Sequence, residues 1–266
     1  MDLTRFLPQE GEQPLDRILT DGGFCAIFRT IGCVGDSLAS GEFESVHPDG
    51  SISYHDLYDY SWGQFLARQC GSKVYNFSAG GMSARQYCEE FADAHDFWNP
   101  AFKCQAYIFA LGVNDILNQD QDYGTRGDID LADWRNNKKT FMGYYAQIIQ
   151  RLKENEPRAK FFLMTIPRDC AWGETAPAKR EKVAEVVYEL ADIFSNTYVL
   201  DFHRYAPYYD QNFRDTFFLG GHMNPCGYLL TARMVSSYID YIIRHNMNDF
   251  KEVGYICTDL DYHAKE

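Results

Sequence analysis

No closely spaced cysteine pair occurs in this chain of 266 residues, although the chain contains eight cysteines. The absence of a C-x-x-C motif argues against a zinc ribbon, a redox dithiol site and a scaffold held by disulfides. The seven histidines also lack the spacing typical of metal ligands. The sequence therefore predicts no metal site and no cofactor.

Positive charge is scarce as well, because 25 Lys and Arg residues face 38 Asp and Glu residues, for a formal net charge of -13. Such a chain repels nucleic-acid phosphates and anionic lipid surfaces, so neither nucleic acid nor membrane is expected as a partner. No apolar run approaches the roughly 20 residues of a membrane-spanning helix, and the first residues do not resemble a signal peptide. We therefore expect a cytoplasmic protein that acts on a small molecule.

Internal repeats, low-complexity tracts and Pro/Ser-rich linkers are absent too. A chain of this length with 45% hydrophobic residues is compatible with one large α/β domain. We predict that residues 1–266 form a single domain, with a core at about 25–246 and an extension at each end. The oligomeric state is not predicted.

What the sequence does contain is a regular alternation of apolar strands and amphipathic helices. Strands are predicted at Ala26–Val34, Lys73–Ser78, Ala106–Leu111, Lys160–Ile166 and Tyr198–Asp201. Helices are predicted to start near Ser61 and Ser83 and to cover Trp134–Asn155, Ala178–Phe194 and Pro225–Asn246. This order predicts an α/β fold in which helices cover both faces of a parallel five-stranded sheet. Ligands of such sheets bind beyond the carboxyl ends of the strands.

Polar motifs follow the first three predicted strands, at the point where each strand ends. The first strand leads into Gly35-Asp36-Ser37-Leu38, the second into Gly80-Gly81, and the third into Asn114. Each motif alone is more typical of an ordinary turn. Together they offer a hydroxyl nucleophile, a backbone N–H that can approach a ligand closely and a side-chain amide donor. His222, just before the last helix, could supply the base that a serine needs.

These motifs, in this order, resemble those of the SGNH (GDSL-type) hydrolases across about Gly32 to Tyr228. The resemblance implies a three-layer α/β/α sandwich, flavodoxin-like, and an esterase or lipase that forms an acyl-enzyme. It further implies that Ser37 is the nucleophile and that His222 is its general base. Ser37, Gly81 and Asn114 would then supply the three oxyanion-hole donors. The chain contains no G-x-S-x-G pentapeptide, which argues against the α/β-hydrolase elbow.

One position departs from the family pattern. The family usually has an aspartate three residues before its histidine, whereas this chain has Leu219. The ring nitrogen of His222 that faces away from the serine must still donate its hydrogen to a fixed acceptor. The candidates are a backbone carbonyl within Leu219–Gly221, the carboxylate of Asp215 and that of Asp201. We favour the carbonyl, because glycines at 220 and 221 let the chain turn it toward the ring, which predicts a Ser37–His222 dyad.

The substrate is predicted from the loop after the third strand and from nearby aromatic residues. Residues 115–133 carry six aspartates against one arginine, and an acidic rim disfavours anionic substrates. Tyr123, Trp134 and Trp172 could offer flat faces to a sugar ring. We therefore expect a small-molecule ester with a short acyl group, such as an acetylated carbohydrate. The alternatives are a lysophospholipase or thioesterase of the same fold, or a binding module that lost turnover together with the triad acid.

Overall fold

The architecture is built around one central β-sheet. A computed structural model describes residues 3–262 of the protein. The strands within these residues are β1 (Thr30–Gly35), β2 (Glu42–Val46), β3 (Ile52–Asp56), β4 (Lys73–Ser78), β5 (Ala106–Ala110), β6 (Lys160–Met164), β7 (Thr197–Leu200), β8 (Phe218–Leu219) and β9 (His222–Met223). Five of them form one sheet in the order β4-β1-β5-β6-β7, and every neighbouring pair is parallel. The predicted parallel five-stranded sheet is confirmed.

Helices cover both faces of this sheet, which completes the predicted α/β/α sandwich. They are α1 (Ser37–Ser40), α2 (Trp62–Cys70), α3 (Ala84–Gln86), α4 (Ala92–Ala94), α5 (Phe141–Asn155), α6 (Ala176–Ile193), α7 (Phe202–Tyr205), α8 (Gln211–Phe217), α9 (Pro225–His245) and α10 (Met247–Phe250). One apolar core lies between the sheet and α2 and α9, and a second lies between the sheet and α3, α5 and α6. Burial by helices on both faces explains why most central positions of the strands are apolar.

Local hydrogen bonds determine where the helices start. At α3, Ser83 and Gln86 form the reciprocal capping box that their spacing predicts. At α2 only the Ser61 hydroxyl accepts, from the backbone N–H of Gln64 at 3.2 Å. The regular part of α5 begins seven residues later than predicted, because the Thr140 side chain caps it, and Trp134–Asn136 forms a separate 3-10 turn.

A β-hairpin that the sequence analysis did not predict is inserted between α1 and α2. Strands β2 and β3 pair antiparallel, with Glu42 opposite Asp56 and Glu44 opposite Tyr54. The hairpin stands outside the central sheet, and its side chains are mostly exposed or half-buried. Because side chains alternate between the two faces of a strand, these four residues share one face of the hairpin.

The two ends of the described chain pack on the main body. The backbone N–H of Phe24 donates to Asp240 of α9 at 2.8 Å, and Arg244 of α9 binds the Glu12 carboxylate at 2.7 Å. The C-terminal segment is held in turn by Arg158, which donates to two of its carbonyl oxygens. None of the helices within residues 3–262 combines the length and apolarity needed to cross a membrane.

Candidate active site

A large cavity opens at the carboxyl ends of the strands, where the α/β architecture leads one to expect a ligand. It has a volume of about 850 Å³. Ser37, Gly81, Asn114 and His222 all line it. The structure thus brings together the four site residues predicted from the sequence motifs, three from strand ends and one from the segment before α9.

Ser37 lies two residues after the end of β1 and is the first residue of the short helix α1. The Asp36 side chain caps this helix by accepting from the Leu38 N–H at 3.1 Å. Burial raises the pKa of Asp36 to about 7, against the opposing effect of that N–H. Because Ser37 opens the helix, its own N–H has no intrahelical acceptor and remains free to bind a ligand oxygen.

Two further donors face the cavity from neighbouring strands. Gly81 has a φ of +72°, a conformation that glycine adopts without strain, and its N–H makes no hydrogen bond within residues 3–262. Asn114 lies in the π-helical turn Val113–Asn118 after β5, a type of irregular turn frequent at functional sites. Its side-chain amide donates to the Met82 carbonyl at 3.0 Å, which fixes its orientation and leaves its second hydrogen available.

His222 is held by a carboxylate that the sequence analysis did not consider. Its Nδ1 lies 2.7 Å from Oε1 of Glu44 on β2, and the same oxygen accepts the N–H of Gly221 at 2.8 Å. The Glu44 side chain is only 8% exposed. A buried carboxylate that contacts Nδ1 leaves Nε2 as the nitrogen that can exchange a proton with a nucleophile.

This contact corrects the prediction about what orients His222. The acceptor at Nδ1 is a side-chain carboxylate rather than a carbonyl within Leu219–Gly221. Asp215 instead accepts from the Gln211 side chain. Asp201 is buried at the end of β7, where it accepts from the Tyr188 hydroxyl at 2.7 Å and caps α7. Neither aspartate is a partner of His222 within residues 3–262, because both carboxylates bind these other groups.

The second ring nitrogen of His222 also meets a carboxylate. Nε2 lies 3.0 Å from Oε1 of Glu42, whose other oxygen packs against the Cα of Gly80. The Glu42 carboxylate therefore bridges the histidine and the glycine turn. Burial raises the pKa of Glu42, and His222 opposes that rise. Ser37 is not hydrogen-bonded to His222 in the described structure, because Glu42 occupies Nε2.

The hairpin thus supplies both partners of the histidine, and one sequence signal could have pointed to them. Glu42-Phe43-Glu44 alternates acidic and aromatic residues directly after the nucleophile segment, a period-two pattern typical of a strand with one polar face. The contact itself joins residues 178 positions apart, so no local pattern predicts it.

The predicted acidic rim does not form at the cavity. None of the six aspartates of residues 115–133 lines it. Asp115 is buried behind Asn114, Asp120 pairs with Lys179, and Asp128 pairs with Lys138. The carboxylates that line the cavity come from other segments, namely Asp36, Glu42, Glu44, Asp56 and Asp169, so the loop itself gives no argument about the charge of the substrate.

Of the three aromatic residues proposed to contact a sugar, Trp172 alone lines the cavity. It is 49% exposed and has a φ of +80°, which is a strained conformation for a bulky side chain. Trp134 instead donates to Glu154 of α5 at 3.0 Å, and Tyr123 packs against the second core.

The fold and the order of motifs around this cavity define an SGNH-type hydrolase, with a parallel sheet that carries a serine at the end of its first strand. The chain belongs to the GDSL-like lipase/acylhydrolase family, whose pattern matches residues 33–230. This membership supports an esterase or acylhydrolase. No curated protein sequence matches the chain.

Solved structures with the same fold include several carbohydrate esterases. A family two carbohydrate esterase from Clostridium thermocellum in complex with cellohexaose is 17% identical, with a TM-score of 0.55; the match covers 83% of this chain and 65% of that chain. A family 2 enzyme with a carbohydrate binding domain from Corynascus thermopiles (Myceliophthora fergusii) is 16% identical, with a TM-score of 0.55, and covers 79% and 65%. A Clostridium thermocellum family 3 carbohydrate esterase is 15% identical, with a TM-score of 0.51, and covers 81% and 97%. At these identities the likeness shows the fold.

Proposed function

We propose that the protein hydrolyses carboxylic esters through a Ser37 acyl-enzyme, with His222 as general base and Glu44 as the acid of the triad. The observation that carries this proposal is the 2.7 Å contact between Glu44 and Nδ1 of His222 in the cavity that Ser37 lines. A carboxylate at this nitrogen fixes the tautomer and stabilises the imidazolium that forms during attack. The hairpin thereby replaces the aspartate that Leu219 removes from the family pattern.

Catalysis requires that His222 exchange one partner for another. In the described state Nε2 faces Glu42, so the Glu42 carboxylate must withdraw before Nε2 can accept the Ser37 proton. An ester bound against the glycine turn would displace it, because the carboxylate packs on Gly80 where the carbonyl oxygen would lie.

The chemical steps then follow from the donors around Ser37. Its oxygen attacks the carbonyl carbon while His222 takes the hydroxyl proton, and negative charge develops on the carbonyl oxygen. The N–H groups of Ser37 and Gly81 and the amide of Asn114 stabilise that charge. His222 next gives the proton to the departing alcohol and finally activates a water that releases the acid.

A short-acyl ester of a carbohydrate is the substrate that we favour. The solved structures that share the fold include carbohydrate esterases. The half-exposed, strained Trp172 offers a flat apolar face at the cavity, and strain of this kind persists where function requires it. A lysophospholipase or thioesterase is the second candidate, because most of the cavity lining is apolar.

The deciding experiment is covalent labelling with a fluorophosphonate probe, followed by mapping of the modified residue. We expect labelling of Ser37 and its loss in Ser37→Ala, with turnover reduced on the order of 10⁴-fold or more. The free energy of unfolding should change by no more than about 1 kcal/mol, because the cavity-facing hydroxyl packs little. Absence of labelling in the folded protein would instead indicate a binding module. Nitrophenyl esters from acetate to laurate then separate the short-acyl proposal from the long-chain alternative.

A further inference from the structure

The wall of the cavity formed by α6, α8 and the loop after β6 carries two arginines. Arg180 of α6 and Arg214 of α8 both line it, together with Asp169 from the loop after β6. Arg214 donates to Asp169 at 2.8 Å. Asp169 is the carboxylate beside these guanidinium groups, so this wall has a local surplus of one positive charge, whereas the other carboxylates that line the cavity belong to the strand-end and hairpin side, namely Asp36, Glu42, Glu44 and Asp56.

Arg180 is a buried cation without an ion-pair partner. It is 1% exposed, and it donates only to the backbone carbonyls of Asp169 and Ala171. Within residues 3–262 its Nε has no hydrogen-bond partner, and no carboxylate lies within salt-bridge distance. Burial lowers the pKa of Arg180, while Asp169 opposes this effect. An unpaired charge in the protein interior is energetically unfavourable, so a bound anion would stabilise Arg180 at this wall of the cavity.

Arg214 has the donors to bind that anion. Its side chain is 18% exposed and stacks on the ring of Phe218, with the guanidinium carbon 4.3 Å from the ring centre. One Nη binds Asp169, whereas Nε and the other Nη make no hydrogen bond within the described part of the chain. These two groups form the edge of a guanidinium that can bind a carboxylate through two parallel bonds.

We propose that this wall of the cavity is a carboxylate subsite and that the alcohol part of the substrate carries a free carboxylate, as in a uronic acid acetylated on a hydroxyl group. This inference rests on the proposed esterase function. A surplus of one positive charge matches a monoanion better than a phosphate, which carries nearly two negative charges.

The first test measures binding without turnover, so that it does not depend on the esterase proposal. Methyl glucuronoside and methyl glucoside are titrated into the Ser37→Ala protein by calorimetry. We expect the glucuronoside to bind about 10- to 100-fold more tightly, because charge-assisted hydrogen bonds form only with its carboxylate. Equal affinities would overturn the subsite, and a preference for methyl glucoside 6-phosphate would overturn its assignment to a carboxylate.

Variants then show whether the arginines cause the preference. Arg214→Gln should abolish it, whereas Asp169→Asn should increase it, because the competing carboxylate is removed. A purely structural role of the Arg214–Asp169 pair would weaken binding of both sugars in both variants. Arg126→Ala, which removes one positive charge from the surface, is the matched control and should leave the preference unchanged.

The kinetic experiment separates the two proposals. Mono-acetylated methyl glucuronoside and glucoside are compared by kcat/KM, alongside fluorophosphonate labelling of Ser37. Labelling of Ser37 together with equal kcat/KM for the two sugars would overturn the subsite proposal and support the esterase proposal. Selective binding of the glucuronoside without labelling of Ser37 or hydrolysis would overturn the esterase proposal and support the subsite proposal.

Discussion

The two sides of the cavity are built in different ways. On the nucleophile side, Ser37, Gly81 and Asn114 follow three adjacent strands of one parallel sheet, whose register fixes their spacing. On the histidine side, His222 belongs to a two-residue strand and depends on a hairpin 178 positions away for both of its carboxylate partners. The first side is held by regular backbone hydrogen bonds, and the second by a few side-chain contacts. The four predictions below test this difference.

The largest effect is expected on the histidine side, from Glu44→Gln. The amide can still accept the Gly221 N–H, so the loop should keep its shape, but the imidazolium loses its counter-charge. We expect kcat to fall on the order of 10²–10⁴-fold, with the free energy of unfolding nearly unchanged. Steady-state kinetics on nitrophenyl acetate and a urea titration measure both quantities.

Asp215→Asn and Asp201→Asn are the controls for this prediction. Asp215 binds only a neighbouring side chain, so its variant should keep full activity. Asp201 is buried among three donors, so its variant should lose stability rather than kcat. If kcat fell about 10³-fold in either folded aspartate variant while Glu44→Gln stayed active, that aspartate rather than Glu44 would be the acid of the triad.

The sequence predicts the nucleophile side of the cavity better than the histidine side. The parallel strands and their helices follow from apolar periodicity, capping residues and turn residues, which are local signals, and the four motif residues at the cavity follow from the family resemblance. The Glu44 contact depends on how the hairpin folds over the sheet, which no local signal specifies. The acidic loop shows the opposite error: its aspartates are close to the site in sequence, but Asp120 and Asp128 form ion pairs away from the cavity.

A smaller effect is expected on the nucleophile side, from Asn114→Ala. An oxyanion donor acts mainly in the transition state, so kcat should fall about 10²–10³-fold while KM changes little. The variant also removes the hydrogen bond to the Met82 carbonyl, and thermal unfolding measures the resulting loss of stability. Asn118→Ala, which removes a donor to Asn114 without removing its amide, is the matched control. A change confined to KM would assign Asn114 to substrate binding.

The hairpin contact at Nε2 predicts a gain of activity. Glu42→Ala removes the carboxylate that competes with Ser37 for His222, and the Tyr228 hydroxyl still has the backbone carbonyl of residue 42 as its acceptor. We expect kcat/KM to rise a few-fold, because the attraction between Glu42 and His222 that an ester must overcome is on the order of 1 kcal/mol. Asp56→Ala changes the neighbouring carboxylate of the same hairpin face and should not raise it. A loss of two orders of magnitude would show that Glu42 takes part in the reaction.

The last effect concerns stability on the nucleophile side, where Asp115 is buried behind Asn114. Its Oδ1 accepts the Ala84 N–H at 2.8 Å, and its Oδ2 has no partner within residues 3–262. Burial raises the pKa of Asp115 from the ordinary value of 3.8 to about 7. Between these two values the folded state binds more protons than the unfolded state, so stability falls as pH rises toward 7.

Replacing Asp115 with Asn mimics the protonated form and should flatten this pH dependence. Urea titrations at pH 5 and pH 8 should show the wild type losing on the order of 5 kcal/mol across that interval, about half of it from Asp115. The variant should lose less, and what remains is assigned to Asp36, whose pKa is also raised to about 7. The exposed Asp259→Asn variant should behave like the wild type. An equal loss in Asp115→Asn would mean that Asp115 is already ionised at pH 5 and that the sheet side tolerates a buried charge.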